Sequence, residues 1–180
     1  GYDAGLCVVY ANSSPGKGMM EGTSSFIVPR GTDGFNITRC NETVGCRYMN
    51  NGELEFIDCF VPDNNLLYEG TALSKAGVYF RPGKIIQSAK NLGVGQAALD
   101  KTAEFVQNYS RGGKLLIKHQ IVASRLADMA TKVSAVRSLV MQAAYACDMK
   151  TNDADALCWQ SKVFASQQIL DVSQNAMELH

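Results

Sequence analysis

Few residues in this 180-residue chain have types and spacings that could do chemistry. His119 and Gln120 follow Arg111 and Lys114 across a Gly112-Gly113 break and open a long helical pattern. A helix N-terminus offers unpaired N–H groups and the positive end of the dipole. This basic run therefore reads either as an anion site, with a phosphate as its fitting ligand, or as a solvated basic turn. Arg81 and Lys84, ahead of another helical pattern, could also touch an anionic ligand or simply be solvated. Gly93-Val94-Gly95 lacks the further glycine of a dinucleotide loop and sits inside a helical pattern, so it reads as helix packing. Gly16-Lys17-Gly18 is a fragment of a phosphate loop and reads as a turn. No carboxylate pair, nucleophile–base pair or metal cluster stands out, and two histidines are too few for most metal sites.

The elements that must position these residues change character along the chain. Up to about Asn65 the pattern is one of short strands. Leu6 to Tyr10 is an apolar run ended by the turn cluster Asn12-Ser13-Ser14-Pro15-Gly16. Ser25 to Pro29 is a second strand, and Gly34 to Thr38 alternates with period two. Asn50-Asn51-Gly52 reads as a hairpin turn. Glu53 to Val61 then forms a strand with Leu54, Phe56 and Phe60 on one face, closed by Pro62. Four or five such strands predict an antiparallel sheet or small barrel. From Lys84 onward the period is helical. Ile85, Ala89, Leu92, Gln96, Leu99, Ala103 and Val106 mark a first helix, broken by Gly112-Gly113. Val122, Leu126, Met129, Val133, Val136, Val140, Ala143 and Cys147 mark a second of bundle type. Thr151-Asn152-Asp153 caps a third, with Trp159, Val163, Leu170 and Met177 as its buried stripe. Ala89, Gly93, Gly95, Ala97 and Ala98 would let helices approach closely. The fold class is α+β, an antiparallel β-sheet or barrel unit followed by a long-helix bundle. A β domain over 1–68 and a helical domain over 69–180 are expected.

Composition narrows the function classes. A 46% hydrophobic and 19% charged chain is neither disordered nor fibrous. Seventeen basic and seventeen acidic residues leave no net charge, so nothing draws nucleic acid or an anionic membrane over a broad surface. No apolar run approaches the ~18–20 residues of a bilayer span. Gly1-Tyr2-Asp3 is neither an initiator Met nor a basic leader, and the last helix runs to His180 without a terminator. An incomplete catalytic unit, with missing chain or tight self-association, is the expectation. Six cysteines and four sequons, at Asn12, Asn36, Asn41 and Asn108, would suit a secreted glycoprotein scaffold. The helical setting of Cys147 and Cys158 favours reduced, buried cysteines and a reducing compartment instead.

The wording of the sequence then carries a resemblance. Glu53-Leu54-Glu55-Phe56-Ile57-Asp58-Cys59-Phe60-Val61-Pro62-Asp63-Asn64-Asn65-Leu66-Leu67 resembles the last strand and Val-Pro-x-x-Asn-Leu-Leu turn of the acyl-CoA dehydrogenase middle domain. Ser25-Phe26-Ile27-Val28, Gly34-Phe35 and Val44-Gly45-Cys46-Arg47 are similar to upstream strands and turns of that family. Leu92-Gly93-Val94-Gly95-Gln96-Ala97-Ala98-Leu99-Asp100 and Gly113-Lys114-Leu115-Leu116-Ile117-Lys118-His119-Gln120 resemble two of its helical-domain segments, the latter of medium-chain type. Leu126-Ala127-Asp128-Met129-Ala130 follows at the family distance.

The resemblance implies most of a middle β domain followed by about three helices of a C-terminal bundle. It implies an FAD-dependent enzyme that oxidises an acyl-CoA to a 2-enoyl-CoA and passes electrons to an electron-transfer flavoprotein. A homo-oligomer (dimer or tetramer) or a complementary chain, in the cytoplasm or mitochondrial matrix, comes with it. No catalytic residue is expected in this chain, because the family's usual Glu would lie beyond His180. His119 and Gln120 match the family contact with the adenine-diphosphate end of the flavin, usually made to a neighbouring subunit, and Leu116 matches a packing residue there. Tyr109 stands where the family has an Arg and Gly112 where it has a Phe, with Arg111 a candidate replacement for the charge. On the substrate side, Lys84 takes the place of a usual Arg, and Arg81 and Gly83 replace an acidic and a hydroxyl residue. Met49-Asn50-Asn51 stand where Ser-Asp-Thr is common. These departures leave open a flavin oxidase, monooxygenase or nitroalkane-oxidase-type activity on the same fold.

Overall fold

The computed structural model describes residues 3–47 and 49–180. Gly1 and Tyr2, which open the leader reading, lie outside the described residues, as does Tyr48. The chain divides into two compact units, Gly1–Gly77 and Val78–His180.

Among the described residues the first unit holds two antiparallel sheets. Strand β1 (Leu6–Asn12) pairs with β2 (Thr23–Pro29), and β2 pairs in turn with β5 (Leu66–Tyr68). The link between β1 and β2 contains the short helix α1 (Gly18–Gly22). Strands β3 (Phe35–Asn41) and β4 (Asn51–Phe56) form the second sheet. Their registered ends stack Phe35 on Phe56 with ring centroids 4.8 Å apart. Two sequence expectations fail here. Asn51 and Gly52 pair with Asn41 and Cys40 inside the ladder, so that turn signal belongs to a strand and residues 42–50 make the connection. The strand expected to reach Val61 stops at Phe56, because Asp58 takes a left-handed conformation at φ 47° and breaks the ladder.

Helix α2 (Ala72–Asn108) begins twelve residues before the expected start at Lys84. Pro82 lies within it and has no N–H to return to the Val78 carbonyl, but proline's fixed φ is helical and the lost bond is tolerated. The second unit continues through a hairpin of β6 (Ser110–Arg111) and β7 (Lys114–Leu115) into α3 (Gln120–Met149) and α4 (Ala154–Leu179). None of the described helices is long and apolar enough to cross a membrane.

The α3 seam packs as its spacing predicts: Val122, Met129, Val133, Val136, Val140 and Ala143 are buried. On α4 the expected stripe is wrong. Trp159, Val163, Leu170 and Met177 are all exposed, and the buried face is Leu157, Cys158, Ser161, Ala165, Ile169, Val172 and Ala176. Both series have helical spacing and lie roughly two-fifths of a turn apart, so periodicity alone cannot choose between them. The smaller residues pack because they let helices come close. Contacts Ser88–Ser161, Asn91–Ser166 and Phe105–His180 keep a nearly constant offset, so α4 runs parallel to α2. Of the small residues expected to mediate close approach on α2, Gly95 is buried and Ala98 packs against the core, whereas Ala89, Gly93 and Ala97 face outward.

Candidate functional site

The basic turn before α3 is built by a tight hairpin. Helix α2 ends at Asn108, and the Tyr109 N–H still donates to the Phe105 carbonyl at 2.9 Å. Gly112 and Gly113 both take positive φ, 62° and 79°, the combination that a two-residue hairpin turn demands and that only glycine adopts without strain. The pair is thus a turn between two short strands rather than the helix break itself. The Leu116 N–H closes the hairpin on the Tyr109 carbonyl at 2.8 Å, and a single 3-10 turn over Leu116–Lys118 leads into α3.

His119 sits at the N-cap of α3 with extended backbone and gives no side-chain cap. Its Nε2–H donates to the Arg111 carbonyl at 3.0 Å, folding the imidazole back over the hairpin. That bond fixes the tautomer and leaves Nδ1 free to accept, or to donate when the ring is charged. The N–H groups of Val122 and Ala123 both go to the His119 carbonyl at 3.0 Å. The amides of Gln120 and Ile121, first in a 30-residue helix, have no intrahelical acceptor. Beside them opens a cleft of about 300 Å³ lined by Arg111, Gly112, Leu116, His119, Ile121 and Val122. Three of the four residues predicted for a cofactor thus share one cleft. Gln120 is exposed as the first residue of α3 and does not line it.

The cleft carries a guanidinium, an imidazole with a second ring nitrogen and the orphan Ile121 amide, over an apolar floor of Leu116, Ile121 and Val122. That donor set fits a diphosphate with an adjoining flat ring. A Cβ on Gly112 would meet His119 Cε1 at an ordinary 3.9 Å, so it is the positive φ rather than space that calls for glycine here.

Arg81, Gly83 and Lys84 lie on α2, about 36 Å from its end at Asn108 at 1.5 Å per residue. They are not brought to the His119 cleft. Nor are the two cations free. Arg81 Nε pairs with Asp155 Oδ1, and Lys84 Nζ lies 4.3 Å from the Trp159 ring centroid. Gly83 is exposed, with nothing within 4 Å of the position of a Cβ. Sequence reasoning missed Asp155 and Trp159. Their signal was an acid and an aromatic at i, i+4 on α4 answering cations at i, i+3 on α2, readable only once the two helices are known to run side by side.

A family model described as "Acyl-CoA dehydrogenase, C-terminal domain" matches residues 70–180. An acryloyl-CoA reductase (NADH) of Anaerotignum propionicum is 34% identical over 98% of this chain and 45% of its own length. The mitochondrial short-chain specific acyl-CoA dehydrogenase of Sus scrofa is 31% identical over 99% of this chain and 43% of its own. The solved structure of butyryl-CoA dehydrogenase from Megasphaera elsdenii superposes with a TM-score of 0.92 at 29% identity, covering 99% of this chain and 46% of that one. The chain spans a little under half the length of the curated relatives it matches.

Proposed function

The chain belongs to the acyl-CoA dehydrogenase family, and from that premise we propose that it is part of an FAD-dependent enzyme that converts an acyl-CoA thioester to its 2-enoyl-CoA. The observation that carries the reading is the cleft formed by Arg111, Leu116 and His119 against the uncapped start of α3. A bound flavin would supply the acceptor for the hydride that leaves the substrate's Cβ. The residues of this chain hold its adenine-diphosphate end. Arg111 and the Ile121 amide meet the diphosphate with the Gln120 amide beside them, His119 donates its Nδ1–H to it when the ring is charged, and Leu116 packs against the ring. We assign the carboxylate that takes the Cα proton to none of the described residues. Electrons pass on to an electron-transfer flavoprotein.

The Arg81–Lys84 end lies about 36 Å along α2 from Asn108, which leaves the His119 cleft and the substrate end as separate sites. In the homo-oligomer, dimer or tetramer, that the family resemblance implies, the flavin held by the His119 cleft would belong to a neighbouring subunit. At the substrate end Lys84, held over Trp159, acts as a fixed positive charge, while Arg81 is tied to Asp155. A second direction of reaction has support from the similarity to acryloyl-CoA reductase, since addition and removal of the same two hydrogens need the same site.

The test is flavin retention by the complete protein. His119→Ala removes one hydrogen bond to a charged group, worth about 1.5–3 kcal/mol, so FAD affinity should fall by about tenfold to a hundredfold. A colourless complete protein, or an unchanged FAD dissociation constant in the variant, refutes the assignment.

A further inference from the structure

Two contacts join α2 to α4 at the Arg81–Lys84 end, and a pair of buried hydroxyls sets the register beside them. Arg81 pairs with Asp155, and one turn on the Lys84 ammonium stands 4.3 Å from the Trp159 ring centroid. Ser88, fully buried, donates its hydroxyl to the carbonyl of Lys84 itself at 2.8 Å. Ser161, equally buried, donates to the carbonyl of Cys158, the residue before Trp159, at 2.9 Å. The two hydroxyl oxygens meet between the helices at 3.4 Å. The backbones that carry Lys84 and Trp159 are thus fixed against each other by side chains small enough to let the helices close in. Trp159 itself is 57% exposed and belongs to neither apolar cluster of the bundle, so burial does not account for an indole at this position.

We propose that Trp159 is a positioning residue for substrate binding: its ring face holds the Lys84 ammonium in one place and so sets how well this end of the helical unit takes an anionic acyl-CoA. The inference rests on the substrate-end reading of Lys84 given above. A lysine on a flexible four-carbon stem loses rotamer freedom when it engages an anion, and that loss weakens binding. A side chain ordered beforehand escapes most of it.

The choice of an aromatic partner matters for the charge. The ring quadrupole attracts the cation but carries no net charge, so Lys84 is held and its full positive potential remains. A carboxylate at the same place would hold the ammonium and cancel it at a distance. Both arrangements occur side by side here: Asp155 orients Arg81 and offsets it, whereas Trp159 orients Lys84 and leaves it available. Trp159 touches the bound anion through no group of its own and acts through Lys84.

The test uses the complete protein with butyryl-CoA as the probe. Trp159→Leu should raise KM about two- to fivefold with little change in kcat, and Trp159→Phe, which keeps a ring face, should recover most of that loss. In a Lys84→Met background Trp159→Leu should have no further effect, because the ammonium through which it acts is gone. The contact is read without substrate by reductive methylation with isotope-labelled carbon, which keeps the lysine charge. The Lys84 methyl resonance should lie upfield of the other lysines, shifted by the ring beneath it, and should join them in Trp159→Leu. A parent protein that shows this resonance but binds no butyryl-CoA overturns the substrate reading, and the positioning role with it. A parent that binds butyryl-CoA but lacks the upfield resonance overturns the positioning role alone. So does an unchanged KM in Trp159→Leu, or an undiminished effect of that substitution in the Lys84→Met background.

Discussion

Gly95 is where the approach of α2 to α4 can be measured. It is buried, and a Cβ there would overlap Ile169 Cδ1 while lying 3.2 Å from Cγ2 and 3.3 Å from Cγ1. Ordinary carbon contacts are ~3.5–4.0 Å, so in Gly95→Ala the Ile169 terminus must move by about 1 Å. Ile169 is 4% exposed, in a core with Val133, Val136 and Val172, and a rotamer change is resisted on all sides. Overpacking of this kind costs about 1–3 kcal/mol, while alanine's helix propensity returns about 1 kcal/mol over glycine. The single variant should therefore be destabilised by about 0–2 kcal/mol. Ile169→Val removes the overlapping methyl and alone should cost about 0.5–1.5 kcal/mol. In that background Gly95→Ala should become neutral or stabilising, giving a favourable coupling of about 1–2 kcal/mol. Urea unfolding followed by helical circular dichroism measures all four corners of the cycle. At a chain length near 180 residues each kcal/mol is worth about 2–4 °C in Tm as a second readout. If Gly95→Ala stabilises the parent chain and the coupling is nil, the two helices do not meet at this point and the packing described for α4 is wrong.

Two further perturbations probe other parts of the chain. Gly34, at φ 79°, has a Cβ position that would collide with the Ile57 carbonyl oxygen and sit 3.0 Å from Cys59 backbone atoms, none of which can swing away. Gly34→Ala should cost about 2–4 kcal/mol from the left-handed conformation and the collision together, and a loss below about 1 kcal/mol in thermal unfolding would contradict the close approach. Lys132 bonds Asp128 at 2.5 Å and Asp171 at 2.6 Å, and these contacts, Asp128 first, hold its ammonium above the ordinary lysine range against a smaller loss from burial. A raised folded value means that the stabilisation is complete below the unfolded pKa of ~10.4 and disappears as pH climbs through the folded value. With both carboxylates about half-exposed, the advantage over Lys132→Met should be near 1 kcal/mol at neutral pH and shrink only above about pH 10.4; a difference that vanishes already at pH 8 would refute the pairing.

What the sequence disclosed followed from what each signal measures. The α3 seam was legible because Val122 through Ala143 has one apolar stripe with polar residues opposite. The α4 face was not, because two stripes satisfy the same period and only the spacing between helix axes selects the smaller one. Strand β5, three residues long, is defined by Leu66 and Tyr68 meeting Phe26 and Ser25, a pairing distant in sequence and invisible to any local window. The helical period was legible only from Lys84, but α2 starts at Ala72 and runs through Pro82, because the roughly 3 kcal/mol cost of an internal proline is small beside the packing of a 37-residue helix.

The two groups of basic residues show the same division between local and distant information. Arg111 and His119 could be read together because a hairpin and a single 3-10 turn separate them, and every step of that path is set by nearby residues: two glycines at positive φ, then a helix start. Arg81 and Lys84 looked alike in sequence, yet their state depends on α4, more than seventy residues on. There Asp155 takes the guanidinium and Trp159 the ammonium. A cation over an aromatic face keeps its charge while losing freedom, and a cation in an ion pair loses net charge as well. Lys84 thus remains a source of positive potential and Arg81 is largely neutralised. If this end of the bundle meets an anionic substrate, Lys84→Ala and Arg81→Ala should each raise its dissociation constant, the first by removing a cation and the second by leaving the Asp155 carboxylate unpaired.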